Sequence, residues 1–268
     1  MPLVFACIAP HGGECLPEFA REAPERAART RAAMLELGRR LAAERPDTVV
    51  VATPHGVGAG GALCIPFAPR TEGDLKEGRV RVAADFDVDV DLALDLARRS
   101  AAAAVPVIAL AAGPVTPLDW GALIPLYYMG RRYNPPPKVV TCTPSPNLSY
   151  ADLEAAGAAL AAAAGANGKR VAFIASADQG HAHDPTGPYG FDAMSAVYDR
   201  EFVAAVEAED LGRLKQLAPE LIECGKPDSL WQALMLHGAL QRCPMRGELL
   251  SYEVPTYFGM LCAAYTPV

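Results

Sequence analysis

The sequence predicts an α/β fold: a mainly parallel central sheet flanked by helices, with closing antiparallel strands near the C-terminus. Three observations carry this. Short apolar, β-branched runs alternate with segments whose apolar residues recur at helical spacing. A strand followed by Pro-His-Gly occurs twice with one helix between, the arrangement of a βαβ unit with parallel strands. Two strand-like runs separated by a short turn end the sequence, which suits an antiparallel pair.

The bulk properties bound the answer. With 268 residues and 51% hydrophobic content the chain can bury a sizeable core. No Ser/Gly linker, charge block or internal repeat divides it, so one domain over residues 1–268 is expected. Ala-rich patches at 101–104 and 155–164 read as helix surface. The net charge of −7 without a basic stripe argues against nucleic acid or an anionic membrane as partner. The opening MPLVFACIAPHGG has no basic region and only a short apolar run, so neither a secretory signal nor a membrane span is expected there. Seven scattered cysteines without CxxC pairing fit free thiols in a reducing cytoplasm, and give no zinc-ribbon or iron–sulfur spacing.

The elements follow in order. Residues 3–8 form a first strand that Pro10-His11-Gly12-Gly13 breaks. Residues 22–44 carry apolar positions at helical spacing among Arg and Glu, an amphipathic helix that Pro46 closes. Residues 48–52 are the second strand, broken in the same way by Thr53-Pro54-His55-Gly56. The Gly-rich stretch 57–79 reads as a loop over that edge, and 80–84 as an edge strand. A helix over 90–103 precedes a third buried strand at 105–111; a turn and short helix begin at Asp119. Residues 139–143 are a fourth strand, followed by a helix over 150–164 capped near Ser149, and 171–175 are the fifth strand. Helices over 195–208, 211–217 and 229–240 follow, and 249–254 with 257–264 close the sheet.

Three of the five histidines, His11, His55 and His181, each follow a buried strand. One such histidine is most often a satisfied structural residue. Three at matching ends of parallel strands share one rim, the place where α/β sheets put their chemistry. Neutral imidazoles converging with a carboxylate make a metal site. Two histidines and one carboxylate on one face of the ion suit Fe(II) and dioxygen chemistry, and the same pattern equally holds Zn(II) with a bound water.

Read together, the early PHGG, VVVATPHG, LDWGALIPL, IASADQGHAHDPTGPYGFD, IECG followed by the LHGAL helix, and LLSYEVPTYFG make a specific series over nearly the whole chain. In this order and spacing the chain resembles the LigB-type class III extradiol ring-cleavage dioxygenases and their Memo relatives. The resemblance implies non-haem Fe(II), with Zn(II) as a possible substitute, and His11 and His55 as its ligands. It makes His181 the catalytic histidine, and the function extradiol cleavage of a catechol-like diol by dioxygen. Glu223 in IECG is the first choice for the carboxylate ligand and Asp228 the second. Glu253 in SYEVP reads as structural. Trp120 stands in LDWG where many relatives have a substrate-contacting histidine, so it and Tyr189 are candidate substrate contacts. His183 is a third, with support of His181 or a solvent-facing position as its other readings. Asp178 reads as a loop cap before a histidine-orienting residue. Members of the family often form dimers or pair with a second subunit, and a homo-oligomer or such a pair is the expectation here. The rivals are a Memo-like interaction protein that keeps the fold without turnover, and a zinc hydrolase on the same ligands.

Overall fold

A computed structural model describes residues 3–111, 113–131, 133–166 and 168–268. The first half of the chain runs β1 (Leu3–Ala9), α1 (Ala28–Glu44), β2 (Thr48–Ala52), β3 (Leu63–Phe67), β4 (Arg70–Glu77), β5 (Val80–Asp87), α2 (Val90–Ala102), β6 (Val107–Ala111), β7 (Val115–Pro117) and α3 (Trp120–Met129). It continues through β8 (Lys138–Pro144), α4 (Tyr150–Ala166), β9 (Val171–Ser176), α5 (Ala193–Glu207), α6 (Pro219–Gly225), α7 (Leu230–Arg242), β10 (Met245–Glu253) and β11 (Met260–Pro267). The main sheet has eight strands in the order β10-β11-β1-β9-β2-β8-β3-β6.

Strands β1, β9, β2 and β8 are mutually parallel and form its middle. Every residue of β1, β2 and β9 is buried, as continuous apolar runs covered on both faces require. Side chains alternate between two cores. Ala6, Ile8, Val50 and Ala52 face the layer of α2, α4, α5 and α7, while Phe5, Cys7, Val49 and Val51 face α1 and α3. The closing pair β10 and β11 is antiparallel, and β11 runs antiparallel to β1. Ser149 caps α4 by accepting from the Asp152 N–H, and the Asp152 carboxylate accepts from the Ser149 N–H, a reciprocal cap.

Four local expectations need correction. The stretch expected as a loop over 57–79 contains β3 and β4. Pro66 disguises β3, and β4 hides behind polar alternation because it belongs to a half-solvated three-stranded sheet, β5-β4-β7. The strand expected as buried at 105–111 is β6, at the edge of the main sheet, with Ile108 42% exposed. An apolar run reveals a strand but not its place in the sheet. The first helix starts at Ala28, with Ala20–Glu22 forming a separate 3₁₀ turn before Pro24. Leu211–Gln216 is likewise a 3₁₀ helix, shorter and tighter than the helix expected there. Among the described residues no helix is long and apolar enough to cross a membrane.

Candidate functional site

Because β1, β9 and β2 are parallel neighbours, their carboxyl ends open on one rim. His11 follows β1, His55 follows β2, and Asp178 and His181 follow β9. Asp228 enters from the turn before α7. Its N–H donates to the Asp178 carbonyl at 3.3 Å, and its Oδ1 accepts from the Asp178 N–H at 2.9 Å. This reciprocal pair ties the turn to the end of β9 and leaves Oδ2 facing the histidines.

His11 Nε2 lies 3.1 Å from His55 Nε2 and 3.3 Å from Asp228 Oδ2, and His55 Nε2 is 3.4 Å from the same oxygen. Donors held at about 2.1 Å from a shared ion, at octahedral to tetrahedral angles, stand roughly 3.0–3.4 Å apart. The three residues therefore fit a divalent metal in spacing and in donor chemistry. The His11 ring is oriented from behind. The Ser176 hydroxyl donates to the Gly121 carbonyl, so its oxygen accepts from His11 Nδ1–H at 2.9 Å and leaves Nε2 for the cluster. The His11 backbone N–H donates to Asp178 Oδ1 at 3.0 Å.

The charges are tightly coupled. Burial works to lower His11, but the carboxylates of Asp178 and Asp228 outweigh it and bring its pKa up to about 9. Burial raises Asp178 to about 7 against the opposing pull of His11. Burial works in the same direction on Asp228, but the charge and hydrogen bond of His11 and the hydrogen bond of His55 hold it well below the usual carboxylate range. His181 is shifted down by burial, so it is neutral at pH 7. Its Nε2 stands 3.9 Å from Asp228 Oδ2, facing the cluster without joining its three donors.

The cluster lies in a cleft of about 910 Å³ whose lining includes His11, His55, Trp120, His181, Tyr189 and Phe258. Thr53 Oγ1 donates to Asp119 Oδ1 at 2.6 Å, linking the turn after β2 to the N-cap of α3. That link sets Trp120, the first residue of α3, against His55: the rings stack at 4.2 Å between centroids with 24° between planes. Phe258 stacks on His181 at 5.2 Å and 14°, and Tyr189 meets the same ring edge-on at 5.8 Å.

Two of the sequence expectations fall elsewhere. Glu223 is exposed on α6 and is absent from the cluster, where Asp228 is the carboxylate. The reason is helical phase: Leu221 and Gly225, four residues apart, take the buried face of α6, which turns Glu223 outward. His183 does not line the cleft; its Nε2 bonds Asp199 Oδ2 at 2.8 Å. Asp178 does both things read for it: its Oδ1 accepts the His11 backbone N–H, capping the turn after β1, and its Oδ2 lies 3.4 Å from His11 Nε2. Glu253 is structural, as read: its Oε1 accepts from the N–H and hydroxyl of Thr30 in the first turn of α1. Ser176, Tyr257, Phe258 and Asp199 escaped the sequence reading. The period-two alternation of β9 marks Ser176 only as a polar residue at a strand end, and nothing local ties the others to the rim.

The chain matches the family described as the catalytic LigB subunit of aromatic ring-opening dioxygenase over residues 6–261. It is 23% identical over 258 residues to Protein CA_C1420 of Clostridium acetobutylicum, a match covering 92% of this chain and 54% of that protein. The chain thus spans about half the length of that curated relative. In fold it is similar to the uncharacterized protein JW3007 of Escherichia coli K12, with a TM-score of 0.62 at 16% identity over 97% of this chain and 99% of that one.

Proposed function

The chain belongs to the LigB family of aromatic ring-opening dioxygenase catalytic subunits, and from that premise we propose that it opens the ring of a catechol-like diol with dioxygen, next to the diol rather than between its hydroxyls. The observation that carries the proposal is the meeting of His11, His55 and Asp228 beside a neutral, half-buried His181 in an aromatic-walled cleft. In this reading His11, His55 and Asp228 hold Fe(II), for which Zn(II) is a structural substitute. When bound, the ferrous ion supplies open positions at which a diol and dioxygen are brought together.

The remaining work falls to side chains of this chain. Trp120, Tyr189 and Phe258 offer flat faces and edges to an aromatic ring. His181 Nε2 takes the proton of the second hydroxyl and returns one as the ring opens, a double duty suited to an imidazole held neutral at pH 7. Trp120 has one donor and no acceptor, so it cannot take a proton from substrate as a histidine at that place could.

A second reading, a Memo-like protein without turnover, is favoured by one observation: the Trp120 indole lies flat on the His55 ring, at the side of the cluster where substrate would approach. One experiment separates the two. The protein is loaded anaerobically with Fe(II), mixed with air-saturated buffer and a panel of catechols, hydroxylated benzoates and aminophenols, and watched for the yellow ring-opened product. We expect product from at least one diol, and a roughly 10²–10⁴-fold loss of turnover in His181→Ala with metal still bound. No product from the native chain or from Trp120→His across the whole panel would establish the non-turnover reading.

A further inference from the structure

We infer that Asp199, on α5 and outside the cleft, is the positioning residue for His181. The inference rests on the assignment of His181 as the proton-transferring group. Asp199 is fully buried, and its carboxylate accepts three hydrogen bonds. Oδ1 accepts from the Gly180 N–H at 2.7 Å; Oδ2 accepts from the Tyr252 hydroxyl at 2.6 Å and bonds His183 Nε2 at 2.8 Å.

These donors bracket His181. Gly180 precedes it directly, and His183 follows two residues on. Gly259 adjoins Phe258, whose ring stacks on His181, and its N–H donates to the Gly180 carbonyl at 3.1 Å. The Gly259 carbonyl in turn accepts from the Gln179 N–H at 2.8 Å. A side chain at Gly259 would collide with Asp199 Oδ2, and one at Gly180 would crowd Oδ1 at 3.0 Å. The two glycines let the carboxylate wedge beneath both backbone segments. From the far side the His181 N–H donates to the Gly225 carbonyl at 2.8 Å. The histidine is thus fixed between a backbone anchor, an aromatic ring and a segment whose height is set by Asp199. The carboxylate touches neither the cleft nor the three donors of the metal cluster, so it acts through the placement of His181.

A double-mutant cycle tests this. In the iron-loaded protein, Asp199→Ala should lower kcat roughly 10–100-fold, the usual loss when an outer support of a functional group is removed. Metal affinity should stay as in the native chain. On a His181→Ala background the same substitution should cost no further turnover, because the group it places is gone. Asp199→Asn keeps an acceptor for the Gly180 N–H and should retain more activity than Asp199→Ala; it also carries the cycle if the alanine variant does not fold. Equal losses with and without His181, or loss of metal in the Asp199 variants, would overturn the inference. A second readout does not depend on turnover. In zinc-loaded protein with isotope-labelled histidines, the His181 ring resonances should move in the Asp199 variants while those of His11 and His55 stay in place. Unmoved His181 resonances would overturn the inference even in an active enzyme. If the His181 resonances move but no diol is turned over, the positioning stands and the dioxygenase reading fails.

Discussion

The turns after β1 and β2 share the tripeptide Pro-His-Gly and the same place on the rim, yet their histidines are held by different physics. His11 is 3% exposed, its Nδ1 bonded to Ser176, its backbone N–H to Asp178, its charge set by two carboxylates. The side chain of His55 is 28% exposed and leans on the indole of Trp120. One histidine is fixed by directional hydrogen bonds in a buried, charged setting, the other by ring stacking at the lip of a cleft. The same local sequence thus yields one buried, hydrogen-bonded donor and one half-exposed, stacked donor, and the difference comes from residues far away in the chain.

The comparison breaks most completely at His11. Replacing it with Ala removes a donor and leaves the buried Asp178 and the half-buried Asp228 without their cation. Loss of one partner from such a group costs about 3–5 kcal/mol. We expect His11→Ala to lose both metal and thermal stability, and His55→Ala to lose metal with a much smaller fall in melting temperature. Metal content and thermal unfolding of the two variants, measured side by side, check this.

The pH dependence comes next in size. A pKa raised to about 9 means that His11 in the metal-free chain is protonated at neutral pH. Its contribution to stability is fully present below its ordinary value of about 6.5 and fades as pH rises through 9. Metal must displace that proton, so metal affinity should climb about tenfold per unit between pH 7 and 9 and then level off. Opposite slopes for metal-free stability and for metal affinity are therefore expected, and scanning calorimetry and chelator competition over this range would show them.

Removing the Ser176 hydroxyl tests the fixed side alone. Ser176→Ala frees the His11 ring and should weaken metal binding roughly 10–100-fold with little change in fold. Trp120→Ala tests the stacked side and should have the smallest effect. Losing a ring pair worth about 0.5–1.5 kcal/mol should weaken metal binding by no more than about tenfold. Chelator competition on both variants ranks them, and a larger loss in Trp120→Ala than in Ser176→Ala would reverse the comparison.

The alternating architecture, the buried parallel strands and the shared rim of His11, His55 and His181 are legible in the order of residues. Each of these follows from short-range signals: apolar runs, helical spacing, and Pro and Gly at strand ends. Tertiary structure alone decided which carboxylate joins them. Glu223 and Asp228 are five residues apart, with nothing local to choose between them, until α6 turns Glu223 to solvent and the paired bonds with Asp178 draw Asp228 inward. Only the packed chain could set Ser176 behind His11, Trp120 against His55 and Asp199 beneath Gly180. These pairs are separated by 165, 65 and 19 residues, and such contacts exist only once the sheet and its helices have closed around them.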